Sequence, residues 1–157
     1  MSQSLLEEIE AHPLFRGASP ELLEALAEVS RLEEFPAERY LLEEGRQAQV
    51  VYWLRKGQVV LELRAQAGKS LPIETIGPGS ILGLSWLVGP NKWATDARAL
   101  EPVRAVVTDA VRLLRLADED KAFGYELARA VAEVMLARLQ ATRLRLLDIY
   151  GDVVARR

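Results

Sequence analysis

The sequence predicts an α+β fold: a β-roll, jelly-roll-like in its strand pattern, between short N-terminal helices and one long C-terminal helix. Three observations carry this. Residues 4–29 hold two short amphipathic segments with helix-start signals. From Arg39 onward, short apolar runs are cut by glycine and proline: YLLEEG, VVYWLRKG, QVVLELRAQAGKS and LPIETIGPG. From Asp118 the apolar residues recur every three or four positions to about Tyr150. Strands collected in one stretch, with helices outside it, give segregated layers rather than alternating βα units.

Each element follows from local chemistry. Ser4 to Glu10 reads as a first helix, Ser4 capping it and Glu7 and Glu8 in the first turn, where the helix dipole favours negative charge. Ser19-Pro20 opens a second helix, with Ser19 as cap, Pro20 at the first helical position and Leu22, Leu23, Leu26 and Val29 as the apolar stripe. Pro36 ends regular structure. Val59, Leu61 and Leu63 alternate with Val60, Glu62 and Arg64, the two-residue period of a strand. Ala65 to Ser70 reads as a hairpin loop into a strand from Leu71 to Ile76. Val103–Val107 and Val111–Leu116 read as two further strands joined near Asp109. Gly124 divides the helical region into a short and a long helix, and Gly151 reads as a C-cap. The expected organisation is a single domain: helices over 1–30, β-roll over 31–117, C-terminal helices over 118–151 and a tail over 152–157.

Composition excludes several functions. The 157 residues carry a net charge of -3, which argues against non-specific nucleic-acid binding. There is no cysteine, and His12 is the only histidine, so neither a thiolate nor a histidine metal site is expected. No P-loop, Ser-His-Asp set or pair of convergent acids stands on one motif, so no catalytic residue is assigned and the chain is read as not an enzyme. No run approaches the ~20 apolar residues of a membrane helix, and the N-terminus lacks a basic n-region. A cytoplasmic location with no membrane partner is expected.

On the long helix, Ala128, Ala132, Met135, Leu139, Thr142, Leu146, Ile149 and Val153 fall at alternating spacings of four and three, a heptad seam. A second stripe holds Leu127, Val131, Val134, Leu136, Leu144 and Leu147. Two apolar faces ask for two partners: the chain's own roll and a second copy, giving a homodimer. The competing reading is one wide face buried inside a monomer. Arg129, Arg138, Arg143 and Arg145 are expected to be solvated or ion-paired. Asp96 and Arg98, two apart on a predicted strand, share a face and are expected to form a structural ion pair.

Together, "HPLFRGASPELLEALA", "YLLEEG", "VVYWLRKGQVVLEL" and "GSILG" resemble the cyclic nucleotide-binding domain, and specifically the effector half of CRP/FNR-class bacterial regulators, over roughly residues 12–150. The resemblance places residues 79–100, GSILGLSWLVGPNKWATDARAL, where that family keeps a phosphate-binding cassette of the pattern G-E-x-A-L … P-R-A-A-T. There a glycine turn leads into a short helix, a glutamate accepts from the ribose and an arginine pairs with the phosphate.

This chain departs from that pattern at both polar positions. Gly83 matches the glycine, but Leu84 stands at the glutamate and Trp93 at the arginine, with Ala94 and Thr95 following as in the family. Lys92 is the nearest cation. Gly83, Leu84, Ser85, Trp86, Lys92, Trp93, Ala94 and Thr95 are therefore the candidate ligand-binding residues. The match of "ARLQATRLRLLDIYG" to the family's dimer helix adds Thr142, otherwise simply a seam residue. Three states of the pocket stay open: a cyclic nucleotide, another small ligand such as an unidentified nucleotide, or no ligand. CRP-class regulators carry a helix-turn-helix after the long helix. Only DVVARR follows Gly151, so direct DNA binding by this chain is not expected. The expected function is a stand-alone regulatory or sensor module with a diverged pocket, not binding cyclic AMP or cyclic GMP tightly. The alternative is a protein–protein interaction module whose pocket is filled.

Overall fold

The structure, a computed structural model, describes residues 3–66, 68–86 and 91–156. Ala67 of the expected hairpin, residues 87–90 of the cassette stretch and Arg157 of the expected tail lie outside the described residues.

Two antiparallel four-stranded sheets form the roll. Strands β1 (Ser30–Phe35), β3 (Val50–Lys56), β6 (Ile81–Leu82) and β8 (Val103–Asp109) make one sheet, in the order β1-β8-β3-β6. Strands β2 (Tyr40–Leu42), β4 (Val59–Arg64), β5 (Ser70–Ile76) and β7 (Asp96–Ala99) make the other, in the order β2-β7-β4-β5. The core between them is built on residues such as Tyr52, Leu54, Val59, Ala97, Ala105 and Val107, all buried, while Val51, Trp53 and Val106 on the other face of the first sheet are buried with His12 and Phe15. Gly57 joins β3 to β4 at φ +87°, and a Cβ there would run into the Pro102 carbonyl, so this turn requires glycine.

Helix α1 (Gln3–Glu10) begins before Ser4, so Ser4 is not its cap and Glu7 and Glu8 are past its first turn. Glu8 has a different role. Its carboxylate receives Arg55 Nε at 2.8 Å and Arg104 Nη1 at 3.1 Å, pinning α1 across β3 and β8. Burial pushes the Glu8 carboxyl up, but the two guanidiniums outweigh it and hold it below the usual range. Helix α2 (Pro20–Glu28) starts as expected, Ser19 Oγ accepting from the Leu22 amide at 3.3 Å.

The segment Val111–Leu116 is helix, not strand. Asp109 Oδ1 accepts from the Arg112 amide at 2.8 Å and caps α3 (Ala110–Glu119). Ala110, Leu113, Leu114 and Ala117, spaced i, i+3, i+4 and i+7, turn one face to the core. The roll thus ends at Asp109 rather than residue 117. The break before the last helix falls at Asp120, which caps α4 (Lys121–Ala155), and not at Gly124. Gly124 instead lets two helices touch: a Cβ there would lie 2.5 Å from the Ala117 carbonyl oxygen. Gly151 lies inside α4, so neither the C-cap nor a tail from residue 152 is present. An uninterrupted helix costs less than a turn at an exposed glycine with no packing to enforce it.

His12 is fully buried beside Trp53, ring centroids 5.9 Å apart. Its Nδ1 accepts from the Leu14 amide at 3.3 Å, so Nε2 carries the proton and faces the Ser80 carbonyl at 3.4 Å. Desolvation pushes its pKa down to about 4. The unfolded chain, at the ordinary ~6.5, then binds more protons at intermediate pH, so stability falls as pH drops from about 6.5 toward 4. The full shift corresponds to about 3 kcal/mol, of which about 2 kcal/mol is lost between pH 7.5 and pH 5. Urea titrations at those two pH values measure it. His12→Gln, which keeps an acceptor but no titrating group, should lose less than half that difference; an equal loss in both proteins assigns it elsewhere.

Candidate functional site

The cassette stretch begins where β6 ends. Gly83 has φ +92°, a conformation that L side chains rarely adopt. It leads into a single 3-10 turn, Leu84–Trp86. Leu84 is half-buried against the core, Ser85 is half-buried and Trp86 is buried. The Trp86 indole N–H has no acceptor among the described residues.

The return segment is held by the 43–48 loop. The Trp93 amide donates to the Arg46 carbonyl at 2.9 Å, the Gly45 amide to the Trp93 carbonyl at 2.9 Å, and the Ala48 amide to the Asn91 carbonyl at 2.7 Å. This sends Lys92 to solvent and Trp93 inward. Trp93 is 7% exposed, and its six-membered ring lies against the glycine turn: Cη2 and Cζ3 stand 3.0 Å from where a Cβ on Gly83 would be. Ala94 is exposed and Thr95 half-buried. Gly83 and Trp93 are thus in contact with Leu84 beside them, whereas Lys92 and Ala94 point away.

Thr142 is exposed, and its hydroxyl donates to the Arg138 carbonyl on its own helix at 2.9 Å. Arg138 reaches the start of the cassette stretch. Expected to be solvated or ion-paired, it is neither: its guanidinium is half-buried and donates to the Ile81 carbonyl, with no carboxylate partner among the described residues. Burial shifts its pKa down. One turn pair further on, Arg145 Nη1 donates to the Ile73 carbonyl at 3.4 Å. These two bonds tie α4 to β6 and β5, the strands at one edge of each sheet. The signal was in the sequence: Arg138 and Arg145 continue the helical stripe of Phe123, Leu127 and Val131 that is buried within the chain.

Asp96 and Arg98 do not pair with each other. Asp96 accepts from Arg64 Nε at 2.9 Å and from the Glu44 amide at 2.7 Å, while Arg98 pairs with Glu62 at 2.8 Å and Glu38 at 2.9 Å. Burial raises the Asp96 carboxyl, but Arg64 and the Glu44 amide outweigh it and hold it low. Both pairs are diagonal across β4 and β7, Glu62 standing directly opposite Asp96, and the long arginine side chains span that separation. This network fixes β7, the strand that follows Trp93.

A family model for the cyclic nucleotide-binding domain matches residues 32–120. The chain belongs to the cyclic nucleotide-binding domain family. Solved members agree in fold. A Geobacter metallireducens GS-15 protein named for cyclic nucleotide binding is 29% identical, with 88% of this chain and 99% of that one covered at a TM-score of 0.77. The N-terminal domain of a transcriptional regulator from Streptomyces coelicolor A3(2) is 22% identical, covering 85% and 93%, TM-score 0.66. The Thermus thermophilus catabolite activator protein is 24% identical, covering 91% of this chain and 63% of that one, TM-score 0.61. No curated protein sequence matches. The fold is that of a cyclic nucleotide-binding domain, and among the described residues no helix is long and apolar enough to cross a membrane.

Proposed function

We propose that this cyclic nucleotide-binding domain is a non-catalytic regulatory module whose nucleotide pocket has diverged, and that it acts as a homodimer joined along α4. The observation that carries the reading is the Trp93 indole against Gly83, in the space where the family pattern puts phosphate and arginine. Leu84 offers no acceptor to a ribose. Each missing charge-assisted hydrogen bond is worth ~1.5–3 kcal/mol, so two together weaken binding by about two to four orders of magnitude.

Two ordered faces of α4 support the dimer. Phe123, Leu127 and Val131 are buried within the chain, Phe123 and Leu127 near Leu14, Phe15 and Leu22. The seam is not: Met135, Leu139, Leu146, Ile149 and Val153 are each 46–60% exposed, and Ala128, Ala132 and Thr142 are exposed with them. This is the arrangement expected if the seam meets a second copy.

Calorimetry tests the pocket. Cyclic AMP and cyclic GMP are expected to bind no more tightly than about 100 μM, a micromolar site weakened about a hundredfold. Low-micromolar binding of either overturns the reading.

A further inference from the structure

A second recess lies away from the cassette, at the edge of the roll where β1 and β2 run. It has a volume of about 620 Å³, inside the ~300–1,000 Å³ range of small-molecule sites. Its floor is aromatic. Phe35 and Tyr52 are buried and meet edge-on, centroids 5.8 Å apart, and Trp93 adjoins them. Tyr40, 43% exposed, stands at the mouth. The Tyr52 hydroxyl is committed to the Leu41 carbonyl at 3.0 Å. Trp93 therefore has two roles: it covers the glycine turn on one side and helps floor this groove on the other.

The charges around the groove decide its chemistry. Its three carboxylates are already paired: Glu33 with Arg31 at 2.9 Å, Glu38 with Arg98 at 2.9 Å, and Glu43 with Arg46. The remaining lining charge, Arg39, has no carboxylate partner among the described residues. Its backbone is fixed on both sides, its amide donating to the Pro36 carbonyl at 3.2 Å and its carbonyl accepting from Ala99 at 2.9 Å. One uncommitted guanidinium lining a groove with aromatic side chains in its wall suits a flat anion: the planar fork takes a carboxylate with two parallel bonds, and the rings adjoin its apolar part. A cation would have to displace an arginine from a paired glutamate, and a phosphate dianion would find a single cation.

We propose that this groove binds a small planar carboxylate, its charge on Arg39 and its ring against Tyr52 and Trp93. The site shares Trp93 with the cassette but takes its charge contact from Arg39, so the proposal does not depend on whether the cassette pocket is closed. The probe is 2-naphthoate, followed by amide chemical shifts and tryptophan fluorescence, with the neutral 2-naphthamide and the cationic 2-naphthylmethylamine as comparisons. Saturation with a Kd below about 1 mM is expected, with the amide at least about tenfold weaker, as for loss of a charged hydrogen bond, and the amine weaker still. Shifts should centre on residues 38–41, not on Gly83–Ser85. Arg39→Gln should weaken naphthoate at least about tenfold, while Arg46→Gln, which removes a guanidinium already paired with Glu43, leaves it within about twofold. No saturation to about 10 mM, equal affinity for acid and amide, an unaffected Arg39→Gln of unchanged melting temperature, or shifts centred on Gly83–Ser85 would each overturn the assignment.

Discussion

Leu139→Arg is expected to leave a folded monomer where the wild-type chain sediments as a dimer at tens of micromolar. Leu139 is at the middle of the exposed seam, flanked by Met135 and Leu146, with Ala128 and Ala132 toward the N-terminal end where helices can approach closely. In a parallel two-fold pairing each seam residue lies near its symmetry mate, so one substitution places two guanidiniums across the axis. Each fully buried leucine contributes roughly 1.5–3 kcal/mol before the costs of association, and two copies of Leu139 and Leu146 supply several such terms. Arg129→Ala is the control, since Arg129 pairs only with Glu133 on the same helix, both exposed. The roll should be undisturbed, because Leu139 is 46% exposed and outside the buried stripe. A wild-type monomer, or a dimer that survives Leu139→Arg, would remove the seam as an interface.

The second large effect is a gain. Restoring the family's two polar groups, Leu84→Glu with Trp93→Arg, should raise affinity for cyclic AMP by two to four orders of magnitude, from two charge-assisted hydrogen bonds at ~1.5–3 kcal/mol each. The same exchange vacates the volume that the indole occupies against Gly83. It also costs stability, since removing a buried tryptophan typically costs ~3–5 kcal/mol, so the melting temperature should fall and binding is to be measured well below it. Trp93→Arg alone should recover about half the gain in free energy. A folded double variant that binds no better than wild type would show that backbone shape, not these two side chains, closes the pocket.

Both predictions start from features legible in the chain. The glycine-cut apolar runs announced the roll because strand period and turn chemistry are local properties. The Ser19-Pro20 helix start was readable for the same reason. The heptad spacing was readable because it needs only the helix period, and Leu84 and Trp93 stood out because they break a pattern whose register is set by Gly83 and Arg98.

Other features were settled by capping and packing that the apolar pattern does not show. Val111–Leu116 has the composition of a strand, but the Asp109 cap and the core face of Ala110, Leu113 and Ala117 make it a helix. Gly124 and Gly151 do not interrupt α4, because close packing on Ala117 demands one and nothing demands a turn at the other. Asp96 and Arg98 found Arg64 and Glu62, which lie about thirty residues away and become neighbours only when β7 pairs with β4. Arg138 reaches Ile81 only because α4 is already packed against the rest of the chain through Phe123, Leu127 and Val131. Local propensity and period therefore determined the elements and the seam. Which way Trp93 turns, which arginine is half-buried and which charge is left over beside the aromatic groove were decided by tertiary packing, because burial and pairing depend on neighbours that adjacent sequence does not contain.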